Sequence, residues 1–208
     1  MKNIVLIFDF DGTIADTHHY MIEISNRMAG EFNYKRIQPE EIDHLKDKTA
    51  QELIIHLNVP FLKIPAIVAR GKREFQKNIL NIQPIQGLKE ILPRLKEFGL
   101  KIGILSSNTH ENILTFLNNH NLNIFDFINS TSKIWGKDIC LKNVIRRHGF
   151  TKDQLVYIGD ETRDITAAQK LGIKSAAVTW GYNSSLALKK LQPDFLIDKP
   201  DQLLALCR

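Results

Sequence analysis

The chain has 208 residues, with 28 Lys and Arg against 23 Asp and Glu, and its formal net charge is +5. This length fits one domain, or one domain with a smaller insert, and folding is expected to bury roughly 70% of the extended chain's surface, which excludes a small scaffold that depends on disulfides or metals. The two cysteines, Cys140 and Cys207, have neither CxxC spacing nor a nearby histidine, so we interpret them as reduced thiols that bind no metal.

The first predicted element is a strand at residues 4–8, which are all apolar. This run is far shorter than the roughly 20 apolar residues that a membrane-spanning helix needs. Asp9 and Asp11 interrupt it before any cleavage-site pattern of a secretory signal. We therefore predict a cytoplasmic protein with no membrane helix and no secretory signal.

Residues 16–84 show no convincing strand pattern and are typical of three or four amphipathic helices, near 18–29, 39–57 and 63–79. An all-helical block that follows the first strand predicts an inserted cap domain. One of its helices carries a basic cluster: Arg70, Lys72, Arg73 and Lys77. We interpret this cluster as a solvated helix face, and the alternative is a patch that attracts an anionic substrate.

Beyond residue 85, short apolar runs alternate with segments of helical period. The predicted strands are 101–106, 125–129, 155–159, 175–179 and 195–197, and the predicted helices are 87–98, 111–119, 138–148, 162–171 and 201–206. This alternation is typical of a parallel sheet with crossover helices. We predict an α/β fold with its core at 1–15 and 85–208 and a small all-helical cap domain at 16–84.

The place where a ligand is expected is the carboxyl edge of the sheet, because open parallel sheets bind ligands beyond the ends of their strands. The polar residues expected at that edge are, in chain order, Asp9, Asp11, Thr13, Ser106, Ser107, Asn108, Asp160, Glu161 and Asp164. Lys137 precedes the helix that leads into the strand at 155–159. We expect these distant parts of the chain to meet in one crevice.

Four aspartates in one crevice repel one another: Asp9, Asp11, Asp160 and Asp164. Two unit charges about 4 Å apart interact by about 4 kcal/mol at an effective dielectric constant of 20. A hard cation relieves this repulsion, and few oxygen ligands with no His or Cys nearby favour Mg²⁺ over zinc or calcium. Together with a lysine and a serine hydroxyl, these groups predict a site for a dianionic phosphoryl group.

The two aspartates after the first strand are expected to have different roles. Asp9, at the end of the strand, is the candidate nucleophile that forms an aspartyl phosphate. Gly12 bends the path of the chain and lets Asp11 swing towards the leaving group. Asp11 is therefore the candidate acid and base, which requires a pKa raised by burial or by its neighbours.

Four segments carry these residues: DFDGT, ILSSN, IWGKD and YIGDETRD. In this order and on these elements, they resemble the four motifs of the haloacid dehalogenase superfamily. The resemblance covers nearly the whole chain. It implies a Rossmann-like core with a helical cap inserted after the first motif.

The resemblance also implies a role for each motif residue. Asp9 would be the nucleophile and a metal ligand, and Asp11 would be the acid and base and bind the metal through its backbone carbonyl. Asp160 would bind the metal, and Asp164 would support it directly or through water. The expected phosphate-binding residues are Thr13, Ser107, Asn108 and Lys137.

Two of these assignments have an alternative. Ser106 could take the place of Ser107, which we prefer because the superfamily often has Ser or Thr directly before Asn. Asp164 lies four residues after Asp160 and could instead stabilise the N-terminus of a helix.

The residue two positions after the nucleophile narrows the reaction that the resemblance implies. An aspartate there disfavours the superfamily's dehalogenases, which lack it, and its transport ATPases, which carry threonine. A phosphatase or a phosphomutase is left, and Thr13 favours the phosphatase. The segments VTWGYN and PDFLID resemble phosphoglycolate-phosphatase-like members. We therefore expect a Mg²⁺-dependent phosphatase that acts on a small phosphorylated metabolite.

The sequence disfavours two other function classes, a phosphate-accepting receiver domain and a nucleic-acid-binding protein. A receiver domain, which accepts phosphate on aspartate without hydrolysing esters, lacks a helical insert and a Gly-Thr pair after its phosphorylated aspartate. A nucleic acid is disfavoured because the chain has no broad basic stripe interleaved with aromatic residues. The identity of the substrate and the oligomeric state stay open.

Overall fold

A computed structural model of the chain describes residues 4–131 and 136–207, and a six-stranded parallel sheet forms its centre. The strands are β1 (Val5–Phe8), β2 (Lys101–Ser106), β3 (Phe127–Ser130), β4 (Leu155–Gly159), β5 (Lys174–Val178) and β6 (Phe195–Ile197). They lie in the order β3-β2-β1-β4-β5-β6, and every neighbouring pair is parallel. This is the strand order of a Rossmann-like fold, so the predicted fold class is confirmed.

β1 lies in the middle of the sheet and is buried on both faces. Leu6 and Phe8 pack into the larger hydrophobic core on one face, and Val5 and Ile7 pack into a second core on the other. Because all four side chains are buried, the sequence shows a continuous apolar run instead of alternation. Its neighbours β2 and β4 hold the strand on both sides and fix the position of the residues that follow it.

Four α-helices follow β1: α1 (His18–Phe32), α2 (Ile42–Leu45), α3 (Ala50–His56) and α4 (Ile64–Asn78). Short 3-10 helices precede two of them, at Pro39–Glu41 and Phe61–Lys63. We call residues 18–79 the helical segment; its treatment as a separate cap domain stays a prediction. Within the described ranges, no single helix is both long and apolar enough to cross a membrane, and α3 with the segment Phe61–Asn78 reaches that length and composition only across a bend of 119°.

The helical pattern predicted near 39–57 is divided in the structure into α2 and α3. Thr49 and Glu52 form a capping box that starts α3 anew. The Thr49 hydroxyl accepts a hydrogen bond from the backbone N–H of Glu52 at 3.3 Å, and the Glu52 carboxylate accepts one from the backbone N–H of Thr49 at 2.8 Å. The Thr-x-x-Glu spacing is a helix-start signal that apolar periodicity does not contain.

The remaining helices are α5 (Leu88–Glu97), α6 (His110–His120), α7 (Lys137–His148), α8 (Thr162–Leu171) and α9 (Ser185–Lys190), with a 3-10 helix at Pro200–Cys207. α5 and α6 contribute to the larger core, and α7 and α8 contribute to the core on the opposite face of the sheet. The sequence did not predict α9, because its six residues are too few to show a helical period. The predicted helix at 201–206 is wrong in type, because this turn is a 3-10 helix.

Candidate active site

Three groups of predicted residues lie at the carboxyl edge of the sheet. Asp9 directly follows β1, Ser107 and Asn108 follow β2, and Asp160 follows β4. These three strands are neighbours and parallel, so their ends open on the same side of the sheet. The side-chain contacts described next join these three strand ends into one crevice.

Lys137, the first residue of α7, joins two carboxylates across the crevice. Its Nζ lies 2.5 Å from Asp9 Oδ2, and it also pairs with Asp164 Oδ1. At most 10% of any of these three side chains is exposed. Burial lowers the pKa of Lys137, but the carboxylates of Asp164 and Asp9 outweigh burial and hold that pKa well above its ordinary value. The lysine therefore supplies a permanent positive charge beside Asp9.

Asp160 is fully buried and is held by two donors. The Thr13 hydroxyl donates to Oδ1 at 2.6 Å, and the backbone N–H of Tyr182 donates to Oδ2 at 2.7 Å. Gly12 has a φ of +75°, and a Cβ at this position would overlap Asp160 Oδ2 and the Tyr182 ring. Burial, followed by the charges of neighbouring carboxylates such as Glu161, raises the pKa of Asp160 well above its ordinary value.

Asp11 has an environment different from that of Asp9. The side-chain amide of Asn108 donates to both of its carboxylate oxygens, at 3.1 and 3.2 Å. Burial, together with the negative charge of Asp9, raises the pKa of Asp11 to about 7. A carboxyl group with this pKa can both give and take a proton near neutral pH. Two aspartates that are two residues apart are thus suited to different tasks.

The two serines at the end of β2 have different surroundings. Ser106 is buried, and its Oγ accepts a hydrogen bond from the backbone N–H of Asn108 at 3.0 Å. Ser107 is half-buried and lines a cavity together with Asp11 and Asn108. Ser107 is therefore the serine that a ligand in this cavity can reach, and the geometry favours it over Ser106.

Asp164 contacts both the start of α8 and Lys137 in the crevice. Its Oδ2 accepts a hydrogen bond from the backbone N–H of Glu161 at 3.0 Å and thereby caps α8. Its Oδ1 pairs with Lys137 in the crevice. Burial raises the pKa of Asp164, the charge of Lys137 opposes this, and the result is a pKa of about 6.

The crevice has a donor set that fits a divalent cation. Carboxylate oxygens of Asp9, Asp160 and Asp164 lie within 4.8 Å of one another, and all three residues are buried. Burial, followed by neighbouring carboxylates at Asp160 and opposed by Lys137 at Asp164, raises the pKa of both residues, and a cation nearby would favour their ionised forms. Oxygen donors of this kind suit Mg²⁺. The Asp11 carboxylate is not among these three, and its predicted contact with a metal runs through its backbone carbonyl.

The loop after β5 contributes contacts to the site that sequence analysis did not assign. Tyr182 holds Asp160 through its backbone N–H. The side chain of the next residue, Asn183, donates to the backbone oxygens of Lys46 and Lys48, each at 2.9 Å. This loop therefore links a candidate metal ligand to the helical segment. The segment VTWGYN was the available signal, but it gave no role for either residue.

A cavity of about 330 Å³ lies between the crevice and the helical segment. Asp11, Ser107 and Asn108 form part of its wall, and residues of α1, α3 and α4 form most of the rest. The cavity therefore shares Asp11, Ser107 and Asn108 with the predicted site at the edge of the sheet.

The predicted basic cluster on α4 is divided between two environments. Arg70 Nη1 and Lys77 Nζ both pair with Glu74 Oε1, at 2.8 and 2.7 Å. Lys72 instead lines the cavity. The interpretation as a solvated face therefore does not extend to Lys72, whose attraction of an anionic substrate stays a hypothesis.

Comparison with known proteins gives a family whose model matches residues 6–178 and is described as haloacid dehalogenase-like hydrolase. A phosphoglycolate phosphatase of Synechococcus elongatus is 31% identical over 200 residues, which cover 96% of this chain and 94% of the relative. A pyrophosphatase PpaX of Bacillus pumilus is 24% identical over 205 residues, or 97% of this chain and 94% of the relative. A solved haloacid dehalogenase-like hydrolase of Streptococcus pneumoniae has the same fold, with a TM-score of 0.83 over 100% of both chains at 22% identity.

Proposed function

The chain belongs to the haloacid dehalogenase-like hydrolases and is a phosphatase of that family, and from this premise we propose that it hydrolyses a small phosphomonoester with Mg²⁺ through an aspartyl phosphate. The observation that carries this proposal is the buried Asp9–Lys137 pair, which lies beside Asp11. The pKa of Asp11 is raised to about 7. The pair offers a nucleophile and a positive charge, and Asp11 offers a transferable proton. These are the three groups that two-step ester hydrolysis on an aspartate needs.

Asp9 is the nucleophile in this proposal. Its Oδ1 accepts a hydrogen bond from the backbone N–H of Phe10 at 2.8 Å, and its Oδ2 is bound by Lys137, so the carboxylate has one orientation. In the first step an oxygen of Asp9 attacks phosphorus, and the bond between phosphorus and the ester oxygen breaks. Protonated Asp11 gives its proton to the departing oxygen, which leaves as an alcohol.

The second step returns the enzyme to its starting state. Ionised Asp11 takes a proton from a water molecule whose oxygen attacks the phosphorus of the aspartyl phosphate. The bond between phosphorus and the Asp9 oxygen breaks, and inorganic phosphate and free Asp9 result. The pKa of about 7 supports Asp11 in both steps, because each protonation state is populated near neutral pH.

The remaining predicted residues would bind the phosphoryl group or hold the aspartates in place. Lys137 and the Ser107 hydroxyl would hold oxygens of the phosphoryl group. Thr13 and Asn108 already donate to Asp160 and Asp11, and a direct contact of either with phosphate stays a prediction.

Magnesium would be held by Asp9, Asp160 and Asp164, with the backbone carbonyl of Asp11. When bound, it would offset the negative charge of the phosphoryl group and of the carboxylates around it. Asp160 is held by two hydrogen bonds, so its carboxylate would meet the ion with little rearrangement.

The experiment that tests this function measures turnover of para-nitrophenyl phosphate with Mg²⁺ and with a chelator. We expect multiple turnovers that release inorganic phosphate and that the chelator abolishes. The variant Asp9→Asn keeps the shape of the side chain but lacks the nucleophilic oxygen pair, and kcat should fall by at least about 10⁴-fold. Asp201→Asn, the same change at an exposed residue, is the matched control and should leave kcat unchanged.

Three outcomes would contradict the proposal. Turnover by Asp9→Asn close to the wild-type rate would remove the nucleophile. A single stoichiometric phosphorylation without turnover would indicate a phosphate-accepting protein. Conversion of a sugar phosphate into its isomer, without release of inorganic phosphate, would indicate a phosphomutase.

A further inference from the structure

The cavity above Asp11 extends deep into the helical segment. Its wall there is formed by Ile24 and Met28 of α1, by Leu57, and by Ile67 and Phe75 of α4. Its volume of about 330 Å³ lies in the range of small-molecule sites. It is about twice the volume of an engineered cavity of roughly 150 Å³ that binds benzene. The space therefore exceeds what a phosphoryl group with a two-carbon body would fill.

Few of the residues that line this cavity are charged. Among the described residues of its wall, the charged ones are Asp11, Lys72 and Arg163. Lys72 lies on α4 and Arg163 on α8, and both interact electrostatically with Asp11. The rest of the described wall is uncharged and mostly apolar.

Apart from Lys72, the polar side chains in the helical part of the wall are Ser25 and Tyr34, and these two already bind each other. The Tyr34 hydroxyl donates to the backbone oxygen of Ser25 at 2.7 Å, and the two hydroxyl oxygens lie 3.5 Å apart. A sugar hydroxyl placed in this part of the cavity would lose its water and find few new partners, which is unfavourable. An alkyl or aryl group would lose only unfavourable contact with water.

We infer that the substrate is a phosphomonoester of an uncharged, apolar alcohol, whose alkyl or aryl body of at least about six carbons occupies the cavity between α1 and α4. This inference rests on the proposed function, since the phosphoryl end must bind at Asp9. It gives the organic part of the substrate a different chemistry from phosphoglycolate or a sugar phosphate. Selectivity arises from the match between an uncharged, apolar body and a mostly apolar wall.

A series of alkyl phosphates tests the inference, because the alkyl chain grows while the reacting bond stays the same. From ethyl to butyl to hexyl phosphate, kcat/KM should rise by about fourfold for each added methylene. Propyl phosphate and glycerol 1-phosphate are a matched pair of three-carbon esters, and the propyl ester should be preferred by about tenfold. Phosphoglycolate should lie at the low end of the series.

The failure of the inference can be distinguished from the failure of the proposed function. A flat or falling series, with glycerol 1-phosphate or phosphoglycolate preferred, would overturn the inference and leave the phosphatase assignment standing. Hydrolysis of none of these esters would overturn both.

A pair of variants on α4 ties the selectivity to the cavity. Gly71 lines the wall, and a Cβ added there would lie 3.6 Å from Met28 Cε, an ordinary contact. Gly71→Leu should therefore project into the cavity and lower the ratio of hexyl to ethyl phosphate hydrolysis by at least tenfold. Ala69→Leu, at an exposed residue of the same helix, should leave this ratio unchanged. Equal ratios in the two variants, both shown to be folded by circular dichroism, would overturn the inference.

Discussion

The crevice at the edge of the sheet is lined by charged and polar groups, whereas the cavity in the helical segment is lined mostly by apolar side chains. In the crevice, buried carboxylates are each held by a lysine, a hydroxyl or a backbone N–H, as Asp9 and Asp160 are. In the cavity, apolar side chains such as Met28 and Phe75 surround a space that protein atoms do not fill. Charged groups keep a fixed geometry only with many partners, whereas apolar walls adapt to the shape of a ligand. On the proposed function, the crevice would set the chemistry and the cavity would set the choice of substrate.

The two regions are joined at a few points. Asn183, in the loop after β5, binds backbone oxygens of Lys46 and Lys48 in the helical segment. The backbone N–H of the preceding residue, Tyr182, binds Asp160 in the crevice. A movement of the helical segment would therefore act, through this loop, on the position of the Asp160 carboxylate.

Removing the positive charge of Lys137 from the crevice should lower the activity more than any other change considered below. Lys137→Met keeps much of the side-chain volume but leaves Asp9 and Asp164 without their shared cation. We expect kcat to fall by about 10²–10³-fold, the typical cost of losing one group that stabilises charge in the transition state. The measurement is steady-state turnover of para-nitrophenyl phosphate with Mg²⁺.

Lys142→Met is the matched control, because Lys142 is an exposed residue of the same helix. It should change kcat by less than about twofold, as surface substitutions usually do. If Lys137→Met were equally mild, the crevice would not depend on this charge, and the contrast with the cavity would be lost.

A pH experiment with and without Mg²⁺ tests whether the carboxylates of the crevice bind the ion. The pKa values of Asp11 and Asp164 are raised from 3.8 to about 7 and about 6 in the folded chain. The folded state therefore binds more protons than the unfolded state between about pH 4 and pH 7, and the metal-free protein loses stability as pH rises through this window. A bound cation offsets the ionised carboxylates, so it stabilises more at high pH.

The measurement is the increase in Tm on adding excess Mg²⁺ at about pH 5 and about pH 8. The increase should be larger at the higher pH by about 4–8 °C, which corresponds to about 2 kcal/mol for a chain of this size. The same increase at both pH values would show that the carboxylates of the crevice are not the groups that bind the ion.

The smallest expected effect concerns the packing of the cavity wall. Gly71→Ala adds one methyl group where a Cβ meets only Met28 Cε at 3.6 Å, so nothing must move. The free energy of unfolding should rise by about 0.5–1 kcal/mol, because alanine favours a helix over glycine. Urea unfolding followed by circular dichroism gives this value.

Gly30→Ala is the comparison for that variant, because Gly30 lies on α1 with no atom within 4 Å of its added Cβ. Its gain comes from helix propensity alone. A loss of stability in Gly71→Ala, against a gain in Gly30→Ala, would mean that the cavity wall has no room for a methyl group and would weaken the argument for a ligand there.

Much of the fold could be predicted because buried parallel strands leave a strong local signal. The bounds of β2, β4 and β6 agree with the predicted 101–106, 155–159 and 195–197. The interruption between α2 and α3 lies at residues 46–49, which are all polar, and the Thr49–Glu52 spacing carried the signal for the new start. α9 escaped prediction because its six residues make fewer than two turns and show no period.

The sequence by itself determined which residues can gather at the edge of the sheet, since an apolar strand followed by Asp9 or Asp160 places those side chains at its carboxyl end. The tertiary structure alone decided the partner of each group: Ser107 and not Ser106 reaches the cavity, and Thr13 binds Asp160. It alone also decided the shape of the cavity. These features depend on contacts between residues far apart in the chain, and no local pattern of residues encodes such contacts.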